Sequence, residues 1–436
     1  MSAPPFILAD VTVPTSFMVV AMIAIVAQAI VLLVALFERG LRYRIDQPEL
    51  QDMDEGQFLR TLEAVTDARL SRDTRLDVFT NGEQFYEAEL AAIKAAQRAV
   101  HLEAYIFQRG QVADRFVQAL AERARAGAEI RVVLDGVGSA GTTYRYLSPI
   151  TEAGGKVAFY HALRFSALPR YNNRTHRELL VVDGATAFVG GAGVADHWLL
   201  STEKRRRWRD TMVRLRGQAV NNLQATFAEN WLESSGELLV GEKHFPDCAG
   251  NGHSPSLVVM GTPSAGGSTR ARVLFQMLLA RAKRSIHITT PYFLPDRSIC
   301  DELAKAVRRG ADVRVLVPGQ HSDHLLTRSS SRLAYGRLLQ RGVRIFEYLP
   351  AMVHAKVLLV DGAWSVVGST NFDNRSFGLN DEVNLAVCDP RFAARLEDDF
   401  ARDLAQAREV RYDEWKRRGV FARVPELVGW LLERQQ

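Results

Sequence analysis

Residues 354–371 (HAKVLLVDGAWSVVGSTN) contain a histidine and a lysine, an apolar run, an Asp-Gly pair, a second apolar run and a small polar cluster. Residues 176–193 (HRELLVVDGATAFVGGAG) repeat this order, and in both copies the histidine lies seven positions before the aspartate of Asp-Gly. A duplicated histidine motif predicts two half-sites that face one another. Because histidine serves as a nucleophile or as a proton carrier, the pair is suited to phosphoryl-type transfer with one ring in each role.

The rest of the chain is also duplicated. Residues 87–107 (EAELAAIKAAQRAVHLEAYIF) are similar to residues 272–293 (RVLFQMLLARAKRSIHITTPYF), and residues 119–136 are similar to residues 302–319. Each segment combines an amphipathic helix pattern with an apolar strand pattern, which predicts an α/β fold with a mainly parallel sheet covered on both faces. The Asp-Gly pairs predict a β-hairpin in each copy. Repeats this long exclude a solenoid and indicate two domains related by a pseudo-twofold axis.

An apolar run near the N-terminus predicts a membrane anchor. Residues 16–37 carry no charged side chain, and a helix of that length crosses a hydrocarbon core roughly 30 Å thick. Basic residues follow the run at Arg39, Arg42 and Arg44, whereas a cleaved signal peptide carries its charges before a shorter apolar core. Positive charge stays on the cytoplasmic side, so we expect a single-pass protein whose globular part faces the cytoplasm.

These patterns divide the chain into five segments. We expect, in chain order, an N-terminal tail and transmembrane anchor (1–44), a polar juxtamembrane helix (45–70), a first repeat domain (71–250), a second repeat domain (251–410) and a C-terminal amphipathic segment (411–436). The apolar part of the last segment is suited either to the membrane interface or to docking on the globular part.

Composition and charge narrow the classes of function. The net charge of +5 and the pI of about 9.1 favour anionic partners such as lipid head groups or nucleic acid. The cysteines, Cys248, Cys300 and Cys388, are scattered, which argues against a disulfide framework and against a zinc site. The sequence contains no Gly-rich Walker loop and no carboxylate cluster suited to magnesium. We therefore expect no metal and no cofactor, and we expect side chains to supply the positive charge.

The spacing around His354 groups several phosphate-binding side chains. On a strand, side chains alternate between faces, so His354 and Lys356 share a face. The lysine supplies positive charge for a phosphate oxygen. Ser369 and Asn371 are also two positions apart and offer a hydroxyl and an amide as further donors.

The run HAKVLLVDGAWSVVGSTNFDNRSFGLNDE (354–382), together with THRELLVVDG, WRDTMVRLRG, TTPYFLPD and RVLVPGQHSDH, resembles the phospholipase D superfamily and, within it, the bacterial cardiolipin synthases. The resemblance covers about residues 75 to 410. It implies two pseudo-twofold-related phospholipase D-like α/β domains packed face to face, preceded by one N-terminal transmembrane helix. It also implies an enzyme of the bacterial inner membrane that acts on an anionic phospholipid, phosphatidylglycerol; no nucleic acid is expected, because of the anchor.

In that family two histidines meet across the domain interface, where one attacks phosphorus and the other protonates the leaving alcohol. A carboxylate orients each ring. Carried over by position, the resemblance implies that Glu382 pairs with His354 and that Asp210 pairs with His176. The family's usual order makes His176 the nucleophile, although the intact Lys356 beside His354 leaves the opposite assignment open.

The implied reaction makes cardiolipin and glycerol from two phosphatidylglycerols through a phosphatidyl-histidine. Asp183 and Asp361 belong to the catalytic signature of the family, but we expect them mainly to form the hairpin turns. With water or another alcohol as acceptor, the same site would be a phospholipase D or would make another phospholipid. The alternative from another class is a non-catalytic lipid-binding membrane scaffold with a degenerate first half-site.

The first motif departs from the family pattern at Glu178, where lysine is usual, and at Gly193, where asparagine is usual. A unit charge 4 Å from a phosphodiester anion is worth about 4 kcal/mol at an effective dielectric constant of 20, so reversing its sign is unfavourable. Three interpretations remain open. Glu178 is neutralised by Arg174 or by an arginine of residues 205–207, it holds a polyol hydroxyl of the substrate, or the first half-site is weakened.

Overall fold

The structure, a computed structural model, describes residues 15–37, 43, 45, 49–162, 172–201, 206–248, 250–263, 269–323 and 325–417. Its contacts divide the chain into a unit that contains residues 1–40 and a unit that contains residues 41–434. The three arginines predicted to follow the anchor, Arg205 of the basic run, and residues 418–436 of the predicted C-terminal segment lie outside the described residues.

The first unit contains helix α1 (Thr15–Phe37). This helix covers the apolar run for which the sequence predicts a helix. By length and hydropathy, none of the helices formed by the described residues qualifies as a membrane span. The anchor over residues 16–37 therefore remains a prediction.

The second unit contains the duplicated part of the chain. Its N-terminal half consists of α2 (Glu49–Asp52), α3 (Glu55–Thr66), β1 (Leu70–Thr80), α4 (Gly82–Ala95), β2 (Ala99–Ala104), α5 (Gln111–Arg125), β3 (Glu129–Asp135), α6 (Ser148–Glu152), β4 (Lys156–Tyr160), β5 (Leu179–Val182), β6 (Thr186–Gly190), a 3₁₀ turn (Asp196–Trp198), β7 (Thr211–Arg216) and α7 (Ala219–Ser235). Below, the first half means β1 to α7.

The second half has the same element order up to Leu404, and two further elements follow as additions. It consists of β8 (Ser254–Gly261), α8 (Arg270–Arg281), β9 (Ser285–Thr289), α9 (Arg297–Arg308), β10 (Asp312–Pro318), α10 (Leu325–Gln340), β11 (Arg344–Tyr348), β12 (Val357–Val360), β13 (Trp364–Gly368), α11 (Asn374–Gly378), β14 (Glu382–Cys388), α12 (Pro390–Leu404), β15 (Ala407–Glu409) and α13 (Tyr412–Lys416). The shared order confirms the predicted duplication.

The strands form one 15-stranded sheet in the order β15-β11-β10-β9-β12-β13-β14-β8-β1-β7-β6-β5-β2-β3-β4. Strands β1 and β8 join the halves as an antiparallel pair in which Leu70 lies opposite Leu257. Counted outward from this pair, the two halves have equivalent strand orders, and β15 is an addition at one edge. An antiparallel central pair between equivalent strands is what a pseudo-twofold axis requires.

The prediction of a mainly parallel sheet was wrong. Among the strands of the described residues, only β2-β3-β4 and the equivalent β9-β10-β11 are parallel, and the other strand pairs are antiparallel. The helical crossovers that produce parallel neighbours occur in one part of each repeat, whereas the rest of the repeat is built from hairpins and returning strands. The two predicted hairpins, β5-β6 and β12-β13, are confirmed.

Each histidine motif continues into a strand that is buried on both faces. In β5, Leu179 and Val181 belong to a middle core shared by both halves, while Leu180 and Val182 belong to the outer core of the first half. This explains why the strand is apolar at every position. Strand β6 contacts β13 and β14, and β7 contacts β13, so the two halves pack face to face around the middle core.

Helix α3 occupies the segment that the sequence predicts as a juxtamembrane helix. Asp54 caps its N-terminus by accepting a hydrogen bond from the Gln57 amide at 2.7 Å, an interaction that contributes about 1 kcal/mol. Phe58 and Leu62 are fully buried in the outer core of the second half, beside Leu278 of α8. The segment is therefore part of the second half's core and not a separate connector.

Candidate active site

The backbone before each histidine-motif strand forms a hydrogen bond to the backbone of the other half. The His176 amide donates to the carbonyl of Asp381 at 2.8 Å, and the His354 amide donates to the carbonyl of Arg209 at 2.7 Å. In each case the residue that follows the accepting residue has a carboxylate side chain, Glu382 after Asp381 and Asp210 after Arg209. The register of these two bridges therefore brings each histidine to a carboxylate of the opposite half.

His354 is held by Asp210. Its Nδ1 lies 2.9 Å from Oδ2 of Asp210, and the indole N–H of Trp198 donates to the same oxygen at 2.9 Å. The other carboxylate oxygen accepts the amide of Thr211 at 2.8 Å. Although burial raises the pKa of Asp210, its hydrogen bond to His354 and the charge of Lys356 hold that pKa below its ordinary value. Asp210 is therefore a fully buried, ionised anchor for the imidazole.

His176 is held in the equivalent way by Glu382. Its Nδ1 lies 3.3 Å from Oε2 of Glu382 and 3.1 Å from the carbonyl of Ser369. The Ser369 hydroxyl donates to Glu382, and the Asn380 amide donates to its other oxygen at 3.4 Å. With Nδ1 engaged in both rings, Nε2 is the atom left for a substrate.

The predicted pairing of carboxylates and histidines was wrong. The family resemblance implied that Glu382 pairs with His354 and Asp210 with His176, but the structure pairs Asp210 with His354 and Glu382 with His176. Each predicted pair would lie within one half. Each observed pair crosses the interface, because the segments before β5 and β12 bond to the opposite half.

Lys356 lies between the two half-sites. Its Nζ donates to the carbonyl of His354 at 2.9 Å and to the carbonyl of Gly191, in the first half, at 3.4 Å. It also lies 3.1 Å from Nε2 of His354. Burial lowers the pKa of Lys356, while the charges of Asp210 and Glu382 act in the opposite direction. One ammonium group thus interacts with both imidazole-bound carboxylates, which indicates a single site.

Aromatic side chains enclose the rings, and sequence reasoning missed this role. Trp198 and Trp208 contact His354 with ring centroids at 5.4 and 5.1 Å, and Tyr105 contacts His176 at 4.9 Å. Burial and the charge of Lys356 lower the pKa of His354, which favours its neutral form. The only sequence signal was the position of Trp208, two residues before Asp210.

Asp183 and Asp361 do not lie at the imidazoles, so the structure gives no support to the prediction that they are catalytic. Both sit in the hairpin turns with positive φ, 55° and 57°, at the opposite end of β5 and β12 from the histidines. Each carboxylate accepts backbone amides at the start of the neighbouring strand, with Asp183 bonded to residues 97–99 and Asp361 bonded to residues 283–285. The expectation that they form the turns is confirmed.

Two predicted phosphate ligands have different surroundings. The Ser369 hydroxyl is fully buried and bonded to Glu382, so it orients that carboxylate and is not available to a phosphate. Asn371 is 2% exposed, and its Oδ1 has no hydrogen-bond partner among the described residues. A buried amide oxygen without a protein partner is expected to accept a hydrogen bond from a ligand or water, whereas a phosphate oxygen would have to accept from Nδ2 of this residue.

Of the alternatives left open for Glu178, neutralisation by Arg174 finds no support in the structure. Arg174 donates to the carbonyls of Asn173 and His161 and lies 3.5 Å from Asp135. The cation whose charge lowers the pKa of Glu178 is Lys356, yet burial is the larger effect and raises that pKa well above its ordinary value. Glu178 therefore interacts with Lys356 of the second half, and Arg174 does not neutralise it.

A family model described as cardiolipin synthase, PLD-like domain matches residues 90–231 and, separately, residues 275–404, which together make up more than half of the chain. The chain belongs to this cardiolipin synthase family. The two matches fall on the two halves of the sheet, so the cardiolipin synthase family pattern and the structural duplication coincide.

Relatives within the cardiolipin synthase family match most of the chain. The major cardiolipin synthase of Bacillus subtilis (strain 168) is 32% identical over 405 residues, which cover 89% of this chain and 84% of the relative. A cardiolipin synthase of Listeria monocytogenes serotype 4b is 31% identical over 368 residues, 84% of this chain and 76% of the relative.

Solved structures share the fold of this cardiolipin synthase family member at low sequence identity. The crystal structure of phosphatidylserine synthase from Haemophilus influenzae Rd KW20 has a TM-score of 0.64 and 13% identity, and covers 86% of this chain and 96% of that one. Polyphosphate kinase from Porphyromonas gingivalis has a TM-score of 0.53 and 10% identity, with 86% and 53% covered. These likenesses support the α/β architecture alone.

Proposed function

We propose that the protein is a cardiolipin synthase that transfers a phosphatidyl group from one phosphatidylglycerol to a hydroxyl of a second, with release of glycerol. The observation that carries this proposal is the crossed arrangement at the interface. Each of two histidines is held at Nδ1 by a buried carboxylate of the other half, and Lys356 lies between them. Such a pair suits a displacement in two steps through a covalent intermediate.

In the first step, His176 is the nucleophile, because its side chain is 12% exposed against 5% for His354. Its Nε2 forms a bond to phosphorus while the bond from phosphorus to the glycerol oxygen breaks. His354 gives its proton to that oxygen. The phosphodiester anion favours the imidazolium form of the nearby ring, and Asp210 stabilises that cation.

In the second step, neutral His354 takes the proton of a hydroxyl on the second phosphatidylglycerol. The hydroxyl oxygen forms the new bond to phosphorus, and the bond from phosphorus to His176 breaks. Lys356 and Asn371 hold the phosphate oxygens during both steps, where donors aimed at developing negative charge lower the barrier most. Cardiolipin leaves and both rings return to their initial protonation states.

The proposal also includes the cellular location of the protein and the boundaries of its domains. Residues 16–37 anchor the protein in the bacterial inner membrane by a single span, with the two phospholipase D-like domains (71–250 and 251–410) in the cytoplasm. Support comes from the uncharged apolar run and the arginines that follow it. An anchor keeps the site at the surface that contains its anionic lipid substrate, and the net charge of +5 favours that surface.

The deciding experiment is turnover of phosphatidylglycerol vesicles by the full-length protein, with identification of the products. Cardiolipin and glycerol in equal amounts are expected. Phosphatidic acid and glycerol would indicate a hydrolase, and vesicle binding without turnover would indicate a lipid-binding scaffold. The His354→Ala variant should bind vesicles and yield no product; turnover near the wild-type rate would refute the assigned role.

A further inference from the structure

The two halves place different groups at one equivalent position. Glu178 and Lys356 each lie two residues after the motif histidine and directly before the equivalent strands β5 and β12. Both side chains are buried, at 5% and 4% exposure, and they interact electrostatically across the interface. The pseudo-twofold axis therefore directs both toward the same region, where the second half presents an ammonium group and the first half a carboxyl group.

The carboxyl group of Glu178 is fixed through one oxygen only. Its Oε1 accepts the backbone amides of Tyr105 at 3.2 Å and Ile106 at 3.3 Å. Its Oε2 makes no hydrogen bond to any residue in the described part of the chain. A side chain held this way is oriented by the protein while one oxygen remains available to a ligand.

Gly193, the second departure from the family pattern, is compatible with Glu178, the first departure. Gly193 occupies the position equivalent to Asn371. A Cβ atom at Gly193 would lie 2.3 Å from the carbonyl oxygen of Ile106 and 3.0 Å from Oε1 of Glu178, so an asparagine cannot occupy this position with the backbone as it is. The first half has lost two phosphate donors and has gained one oriented carboxyl group, and the surrounding backbone accommodates that exchange.

The chemistry of the group indicates its ligand. An ionised carboxylate repels a phosphodiester anion, but burial raises the pKa of Glu178 well above its ordinary value and so favours the neutral acid. A neutral carboxyl group both donates to and accepts from a hydroxyl, and phosphatidylglycerol carries hydroxyls on its head group. A hydroxyl is thus a better partner for Glu178 than a phosphate oxygen.

We propose that Glu178 is a specificity residue that hydrogen-bonds through Oε2 to a hydroxyl of the acceptor glycerol head group. This assignment rests on the proposed function and makes it more specific. The first half-site is specialised for a polyol acceptor and is not a weakened copy of the second half-site. The residue selects which alcohol attacks the phosphatidyl-enzyme and takes no part in bond breaking.

The test is competition between acceptors. Wild type and the variants Glu178→Gln, Glu178→Leu and Glu178→Lys are supplied with phosphatidylglycerol vesicles and a fixed concentration of ethanol, which has no second hydroxyl. The ratio of cardiolipin to phosphatidylethanol is the readout. Loss of one hydrogen bond in Glu178→Leu should lower this ratio roughly tenfold, whereas Glu178→Gln, which keeps a donor and an acceptor, should stay within about threefold of wild type.

Controls separate selection from folding and from the proposed function. Glu89→Gln replaces another buried carboxyl group of the first half and should leave the ratio unchanged. An unchanged ratio in Glu178→Leu, with total phosphatidyl transfer reduced, would mean a structural role and overturn the inference. A rise in cardiolipin formation by Glu178→Lys at a constant product ratio would also overturn the inference. Failure of wild type to make any cardiolipin would instead overturn the proposed function.

Discussion

Asp210 of the first half accepts a hydrogen bond from Nδ1 of His354 of the second half at 2.9 Å, and Glu382 and His176 repeat this relationship in the opposite direction. Neither half contains a complete histidine and carboxylate pair. The duplication therefore does more than provide two histidines, because each half supplies the group that orients the other half's ring. A site built this way forms only when the middle core has brought the halves together.

The crossed pair gives the first prediction. Asp210→Asn keeps the shape of the side chain but removes the charge that stabilises the His354 imidazolium. We expect the rate of cardiolipin formation to fall by about two to four orders of magnitude, with the fold retained. The measurement is turnover at saturating lipid, with circular dichroism as the check on folding. Asp77→Asn, in a half-exposed pair with Arg214, is the control, and equal losses in both variants would contradict the assignment.

The identity of the nucleophile gives the second prediction. With a phosphodiester that carries an activated leaving group, protonation of the leaving oxygen is no longer needed. His354→Ala should then still form a phosphatidyl adduct on His176 in a rapid first turnover. Mass spectrometry of the protein should detect this adduct. His176→Ala should form none. An adduct on His354 in the His176→Ala protein would reverse the two roles.

The aspartates of the hairpin turns give the third prediction. Asp361 accepts three backbone amides, so Asp361→Ala leaves these donors without their partner. We expect the free energy of unfolding to fall by about 1–3 kcal/mol, measured by urea denaturation. Turnover per folded molecule should stay near wild type, because the turn lies at the far end of β12 from His354. A large loss of turnover at unchanged stability would restore Asp361 to the catalytic group.

Much of this arrangement was predictable from sequence. The apolar runs beside Asp183 and Asp361 predicted both hairpins, and the duplicated motifs predicted that His176 and His354 form one site. The partner of each histidine was not predictable, since it depends on which edge the preceding segment bonds to, and that choice is set by packing between residues far apart in the chain. The role of Ser369 was missed because the sequence does not show that its hydroxyl donates to the carboxylate 13 residues later.

A buried histidine outside the site gives the last prediction. His101 is 1% exposed, its Nδ1 lies 2.8 Å from Oε1 of Gln224, and its ring stacks on Phe227. Burial lowers its pKa to about 3, so the folded protein keeps the ring neutral through the range in which an unfolded chain, with a histidine pKa of about 6.5, takes up a proton.

Because the unfolded state binds more protons there, stability is fully present above about pH 6.5 and is lost as the pH falls toward 3, by about 1.4 kcal/mol per pH unit for this one group. Urea denaturation between pH 6 and pH 4 measures the slope. His101→Leu should make it shallower by about that amount, whatever the variant loses in absolute stability from the unpaired Gln224. His253→Leu, at an exposed position, should keep the wild-type slope. Equal slopes in all three proteins would show that His101 takes up its proton without unfolding, and the acid sensitivity would then originate elsewhere in the chain.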